Sequence, residues 1–199
     1  MRDILPDLLR WRENDAEIAL ATVIQTWGSS PRQEGAKMGI RAGGEITGSV
    51  SGGCVESAVA EAALGVLRNG DPQILHFGVA DETAWEVGLA CGGSLDVLVE
   101  RLDPKHFDFV RNLVEAEVPA ATVTVLKGPP ELVGRKLSLS TVETARRYGS
   151  LNSGLDEVVV ELARQAGQSV IVELRAGDQP ISQERNGGLD EVSMKWHFG

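Results

Sequence analysis

The chain is short of the things that usually announce a function. It has two cysteines in 199 residues, one tyrosine, three histidines and 5% aromatic residues in all. Cys54 and Cys91 form neither a C-x-x-C pair nor a cysteine–histidine cluster, which excludes a disulfide framework and a zinc site of familiar spacing and makes a reducing cytoplasm the expected setting. No long uncharged apolar run occurs. The opening Met1-Arg2-Asp3-Ile4-Leu5-Pro6-Asp7 interrupts its apolar residues with charges and a proline, unlike a secretory signal or a membrane span. Basic residues are also in deficit, 19 Lys and Arg against 29 Asp and Glu for a net charge of −10, so neither nucleic acid nor an anionic membrane is an expected partner. Neither a G-x-x-x-x-G-K-[ST] phosphate loop nor a strand-bound G-x-G-x-x-G fingerprint is found.

What is present is 42% hydrophobic residues, enough for a real core, and an internal echo at an offset of about 100 residues. Asp7-Leu8-Leu9-Arg10 matches Asp108-Phe109-Val110-Arg111, Ala21-Thr22-Val23 matches Ala121-Thr122-Val123, Ala36-Lys37-Met38 matches Arg135-Lys136-Leu137, and Gly48-Ser49-Val50 matches Gly149-Ser150-Leu151. Glu56 falls opposite Glu157, and Cys54 opposite Leu155. Periodicity gives each copy a leading helix, a β-branched strand, a glycine-punctuated hairpin, a second helix and a closing pair of strands. The clearest helix is expected over residues 54–68, with Val55, Ala58, Val59, Ala62, Ala63, Val66 and Leu67 on one face and Asn69-Gly70 as its stop. The expected fold is mixed α+β, of the α/β class. Two tandem copies, residues 1–102 with the cysteine motifs and 103–199 as a degenerate second copy, pack about a pseudo-twofold axis into one compact domain.

The cysteines do not recur in the second copy. That pattern fits one active half and one supporting half. Cys54 lies at the start of its helix in Ser51-Gly52-Gly53-Cys54-Val55-Glu56, where free N–H groups and the helix dipole favour a thiolate or a bound anion, with Ser51 as the cap. The competing reading makes it a small buried hydrophobe. Cys91 sits in the turn Cys91-Gly92-Gly93 that enters the strand carrying Leu95, Val97 and Val99. Gly28-Ser29-Ser30-Pro31-Arg32 offers two hydroxyls and a guanidinium to a phosphate or carboxylate, or is simply a polar turn. His76, in Ile74-Leu75-His76-Phe77, reads first as a strand residue with a satisfied ring.

The run Ala21-Thr22-Val23-Ile24, GSSPR at 28–32, GAKM at 35–38, GSVSGGCVE at 48–56, FG at 77–78 and CGG at 91–93 resembles the N-terminal region of the XdhC/CoxI family. That resemblance implies an accessory protein of molybdenum hydroxylases such as xanthine dehydrogenase and carbon monoxide dehydrogenase. It would bind molybdenum cofactor (molybdopterin) as cargo, help it acquire its terminal sulfur with a cysteine desulfurase, and deliver it to the apoenzyme. Typical members also carry a C-terminal Rossmann domain; this chain reaches Gly199 without one, which leaves room for a separate Rossmann-domain chain as a partner. On this reading Ser51, Gly52, Gly53, Gly92 and Gly93 cradle the cofactor, and Ser29, Ser30 and Arg32 bind its phosphate. The sulfur of Cys54 or Cys91 lies near molybdenum, and Glu56 orders the loop. Binding without turnover makes the chain a chaperone rather than an enzyme. Two other classes stay open: a cysteine-dependent enzyme with Cys54 as nucleophile and His76 as base, and a non-catalytic interaction module. A homodimer is the expected assembly, being the commonest.

Overall fold

The computed structural model describes residues 1–78, 92–129, 132–142, 146–151, 153–166, 170–175 and 191–198. The chain forms two units, Met1–Asp103 and Pro104–Gly199. The first runs α1 (Leu5–Glu13), β1 (Ile18–Trp27), β2 (Lys37–Arg41), β3 (Ile46–Gly48), α2 (Glu56–Asn69), β4 (Gln73–Phe77) and β5 (Ser94–Arg101). Its sheet has the order β3-β2-β1-β5-β4, and each neighbouring pair is antiparallel, a polarity the sequence left open.

Alternation along these strands builds the core. Ala19, Ala21 and Val23 of β1, Met38 and Ile40 of β2, and Leu95, Val97 and Val99 of β5 meet Val59, Ala63, Val66 and Leu67 of α2. Each fully buried aliphatic side chain contributes about 1.5–3 kcal/mol. The opposite sheet face receives α1, whose Leu8 and Trp11 are buried. Gly39 makes room for it, since a Cβ there would lie 2.7 Å from Leu8 Cδ2. Helix α2 ends where Gly70, at φ 86°, donates its N–H to the Val66 carbonyl. Arg101, at the end of β5, donates to the Val66 and Leu67 carbonyls, placing a cation at the negative end of the helix.

One irregularity in β1 re-aims its last residues. Val23 pairs with Val97 but Gln25 pairs with Asp96, so Ile24 is an extra residue, a β-bulge. Strict alternation would put Trp27 on the core face with Val23. The bulge turns it to the other face, where it is 45% exposed.

The second unit runs α3 (Pro104–Glu115), β6 (Ala120–Lys127), β7 (Lys136–Ser140), β8 (Arg147–Gly149), α4 (Ser153–Ala166), β9 (Val170–Arg175) and β10 (Glu191–Phe198), with the sheet order β8-β7-β6-β10-β9. Its core holds Ala121, Val123, Val125, Leu137, Leu139, Leu151, Leu155, Val159 and Ala163. Ser138, fully buried, is satisfied by hydrogen bonds with Thr122 and His106. Among the described residues the architecture is therefore mixed α/β, with four helices and two antiparallel sheets. Among the described residues no helix is long and apolar enough to cross a membrane.

Candidate functional site

Strand β1 leaves the sheet at Trp27 and turns through Gly28 (φ 67°) into Ser29-Ser30-Pro31-Arg32. This loop touches both of the other glycine motifs. On one side Pro31 lies against Gly52, 3.5 Å from where a Cβ would stand, and Arg32 Nε donates to the Ser49 carbonyl at 3.2 Å. On the other, Gly93 is packed so closely that a Cβ would fall 2.3 Å from the Ser29 carbonyl oxygen and 2.8 Å from that of Trp27. Three separate stretches of sequence, 28–32, 49–56 and 92–93, thus meet at one end of the first unit. The Arg32 guanidinium, expected to face an anion, is tied to Ser49 and lies 3.5 Å from Asp3 Oδ2, while the Ser30 hydroxyl donates to the Arg32 carbonyl.

The Ser49–Val55 loop is organised around Glu56. Its Oε1 accepts from the N–H groups of Val50 (3.2 Å), Ser51 (2.9 Å) and Gly52 (3.2 Å) and from the Ser49 hydroxyl (2.6 Å). Oε2 accepts from the Gly53 N–H (2.9 Å) and the Ser51 hydroxyl (2.5 Å). Successive N–H groups converge in this way because Gly52 (φ 83°) and Gly53 (φ 123°) adopt conformations closed to most side chains. Partial burial works to raise the Glu56 pKa, but the hydrogen bonds from Ser49 and Ser51 outweigh it and bring it down to about 2.

Two expectations are corrected here. The N–H groups of Ser51, Gly52 and Gly53 do not face outward for an incoming anion, because the chain fills that nest with its own carboxylate. The helix begins at Glu56 rather than at residue 54, with Val55 as an N-cap that makes no side-chain hydrogen bond; Ser51 Oγ instead accepts from the N–H groups of Cys54 and Val55, both at 3.0 Å. Cys54 is consequently in the loop, free and exposed, which removes the reading of it as a buried hydrophobe. Cys91 lies outside the described residues, and with it the question of whether the two thiols meet. Of its motif, Gly92 is exposed and Gly93 buried.

The second unit has a shorter version of this loop. Asp156 accepts from the Ser150 hydroxyl (2.6 Å) and the Leu151 N–H (2.7 Å), as Glu56 does from Ser49 and Val50, whereas Glu157 pairs with Arg147 instead. Leu155, fully buried ahead of Asp156, holds the place of Val55 and not of Cys54. Four residues separate Val50 from Val55 but only three separate Leu151 from Leu155. This one residue moves the matching acid from Glu157, expected from the sequence, to Asp156.

Residues 11–78 match the model of the XdhC and CoxI family. That segment holds the GSSPR, GAKM, GSVSGGCVE and FG motifs. Three curated relatives align with the chain. They are the uncharacterized protein YqeB of Escherichia coli K12 (34% identical over 97 residues, 49% of this chain and 18% of that protein), a probable xanthine dehydrogenase subunit of Bacillus subtilis 168 (32% over 109 residues, 52% and 33%), and the molybdenum cofactor insertion chaperone PaoD of E. coli K12 (34% over 84 residues, 42% and 26%). The chain thus covers a third or less of the length of these relatives. A crystal structure of a xanthine dehydrogenase from Bacillus halodurans has the same fold, with a TM-score of 0.67 at 23% identity over 98% of this chain and 52% of that one.

Within residues 11–78, two side chains gain a place that sequence reasoning does not give them. His76 is expected to be satisfied within a strand. Its Nδ1 is 2.5 Å from Asp96 Oδ1, yet the side chain is 59% exposed. Trp27, which no motif marks, stands edge-to-face with the His76 ring at 6.4 Å. The available signal is a bulky aromatic directly ahead of GSSPR; the bulge that exposes it leaves no mark in the sequence. Among the described residues no group of three potential metal ligands occurs.

Proposed function

We propose that this chain binds molybdenum cofactor as cargo and supports its insertion into a molybdenum hydroxylase of the xanthine dehydrogenase or carbon monoxide dehydrogenase type. The observation that carries the reading is the meeting of the GSSPR loop, the SGGC loop and the Gly92-Gly93 turn beside an exposed, free Cys54. The names of the relatives, a molybdenum cofactor insertion chaperone and a probable xanthine dehydrogenase subunit, point the same way. In this role Cys54 or Cys91 supplies soft sulfur to the metal side of the cargo. Ser29, Ser30, Arg32, Gly92 and Gly93 line its bed, while Ser51, Gly52, Gly53 and Glu56 hold the thiol loop in shape. The apo hydroxylase and a cysteine desulfurase are the partners. We further read residues 1–102 and 103–199 as tandem copies, a reading supported by the common strand order and the acid-latched loop in each unit.

The test is anaerobic loading of the purified protein with molybdenum cofactor, followed by gel filtration and assay of bound molybdenum and pterin. Near-stoichiometric retention by wild type and its loss in Cys54→Ser is the expected result. Equal retention by both would remove Cys54 from the site, and no retention by either would remove the cargo reading.

A further inference from the structure

We infer that Trp27, His76 and Asp96 form a platform for a flat, hydrogen-bonding heterocycle, and that its occupant is the pterin ring of the cargo; the choice of occupant rests on the function proposed above. The three side chains lie on the sheet face opposite the α2 core. Trp27 pairs with Ser94 across β1 and β5, His76 pairs with Asp96 across β4 and β5, and Ser94 and Asp96 share one face. Trp27 and His76 touch edge-to-face, and His76 Nδ1 meets the Asp96 carboxylate.

This surface shows several signs of being built for a ligand. The bulge at Ile24 brings Trp27 out of the core register, and bulges at such positions re-aim side chains. An indole 45% exposed is a large planar apolar surface held ready for stacking. The ground around it is flattened by glycine. A Cβ at Gly78 would be 3.3 Å from His76 Nε2 and 2.8 Å from Ser94 Cβ, and a Cβ at Gly93 would strike the Trp27 carbonyl oxygen. Each of the three side chains therefore adjoins a glycine motif: Trp27 precedes GSSPR, His76 precedes FG by one residue, and Asp96 follows Gly92-Gly93 by three. Those glycines have a use beyond turning the chain, because they let the backbone close up tightly behind Trp27, His76 and Ser94 and so fix the face on which the rings stand.

The polar groups select among planar molecules. With Nδ1 turned to Asp96, the His76 ring is held in orientation and its Nε2 faces away from the carboxylate. The Asp96 carboxylate has two oxygens, and only Oδ1 is held by His76. A ring carrying an amino group and ring N–H groups beside a carbonyl finds acceptors and an imidazole here, as a pterin does and an aromatic hydrocarbon does not. From Trp27, four residues lead to Pro31 at the SGGC loop, a reach of at most about 14 Å. One extended cargo lies with its ring at Trp27 and its sulfur-bearing end toward Cys54.

The test titrates the full chain with a free, oxidised, water-soluble pterin and follows quenching of pterin and tryptophan emission. Wild type should bind saturably. Trp27→Phe should retain most of the affinity, Trp27→Ala should lose about tenfold or more, and Asp96→Asn should lose preference for pterin over a purine of similar size. Gly78→Ala, read with a thermal melt as a fold control, should weaken binding through the displaced His76 ring. Absence of saturable pterin binding by wild type, or unchanged binding by Trp27→Ala, overturns the inference. Retention of the complete cofactor by wild type and Trp27→Ala alike overturns this inference and leaves the cargo function standing, whereas failure of wild type to retain the cofactor counts against that function and not against a platform that binds free pterin. Should Trp27→Ala bind pterin normally but lose a hydroxylase partner, the face is a protein-docking surface and the inference falls.

Discussion

At the scale of single residues, the site turns on where Glu56 and Cys54 put their functional atoms. Glu56 holds together a loop whose donors would otherwise lie unsatisfied, so Glu56→Gln should cost about 2 kcal/mol by urea unfolding at neutral pH. The pH dependence has a definite sign. A carboxyl brought from 4.5 in the unfolded chain to about 2 in the folded one stabilises above about pH 4.5 and loses that effect as pH falls toward 2. The stability gap between wild type and Glu56→Gln should therefore narrow across that window, and a gap that stays constant would show that Glu56 is not ionised in the nest. Cys54, exposed and free, should be alkylated by iodoacetamide in the native protein, and Cys54→Ser should leave stability within about 0.5 kcal/mol. Sequence alone points to both residues, as a loop-ordering acid and a candidate thiol. It could not see that the acid occupies the anion nest, because which carboxylate reaches a given set of N–H groups depends on backbone angles at Gly52 and Gly53.

Elements were more legible than atoms. The helix stop at Asn69-Gly70 and the succession of helices and strands within each unit followed from punctuation and periodicity. Two features did not: the polarity of strands joined through distant connections, such as β1 with β5, and the bulge at Ile24, an extra residue that reads like its β-branched neighbours. The contact between motifs was equally hidden, since Gly93 and Ser29 are far apart in sequence and their closeness is a matter of sheet pairing. It gives a sharp expectation. Gly93→Ala would force a Cβ to 2.3 Å from the Ser29 carbonyl, and the GSSPR loop should shift at a cost of about 2 kcal/mol, measurable as a lowered melting temperature together with faster proteolysis at 28–32. Arg101→Ala should remove the cation from the carboxyl end of α2 for about 1 kcal/mol, read by the same melt.

For the molecule as a whole, charge sets the conditions of encounter. A net charge of −10 would repel the proposed phosphorylated cargo at long range, so its association should quicken as salt rises from about 10 mM to about 150 mM and the Debye length shrinks from about 30 Å to about 8 Å. Stopped-flow mixing at the two ionic strengths checks this, and slower association at the higher one would indicate that local cations near Arg32 dominate instead. The two units share an order of elements and an acid-latched loop, yet the thiol belongs to one of them alone. Within the first unit, the stretch from Val50 to Val55 that holds Cys54 is one residue longer than that from Leu151 to Leu155, and Trp27 faces outward because β1 carries one residue more than its partner strand. The surface of the first unit is thus governed by counting as much as by composition: removing the one extra residue of β1 would return Trp27 to the core face of its strand, an effect that a scan of substitutions would never reveal.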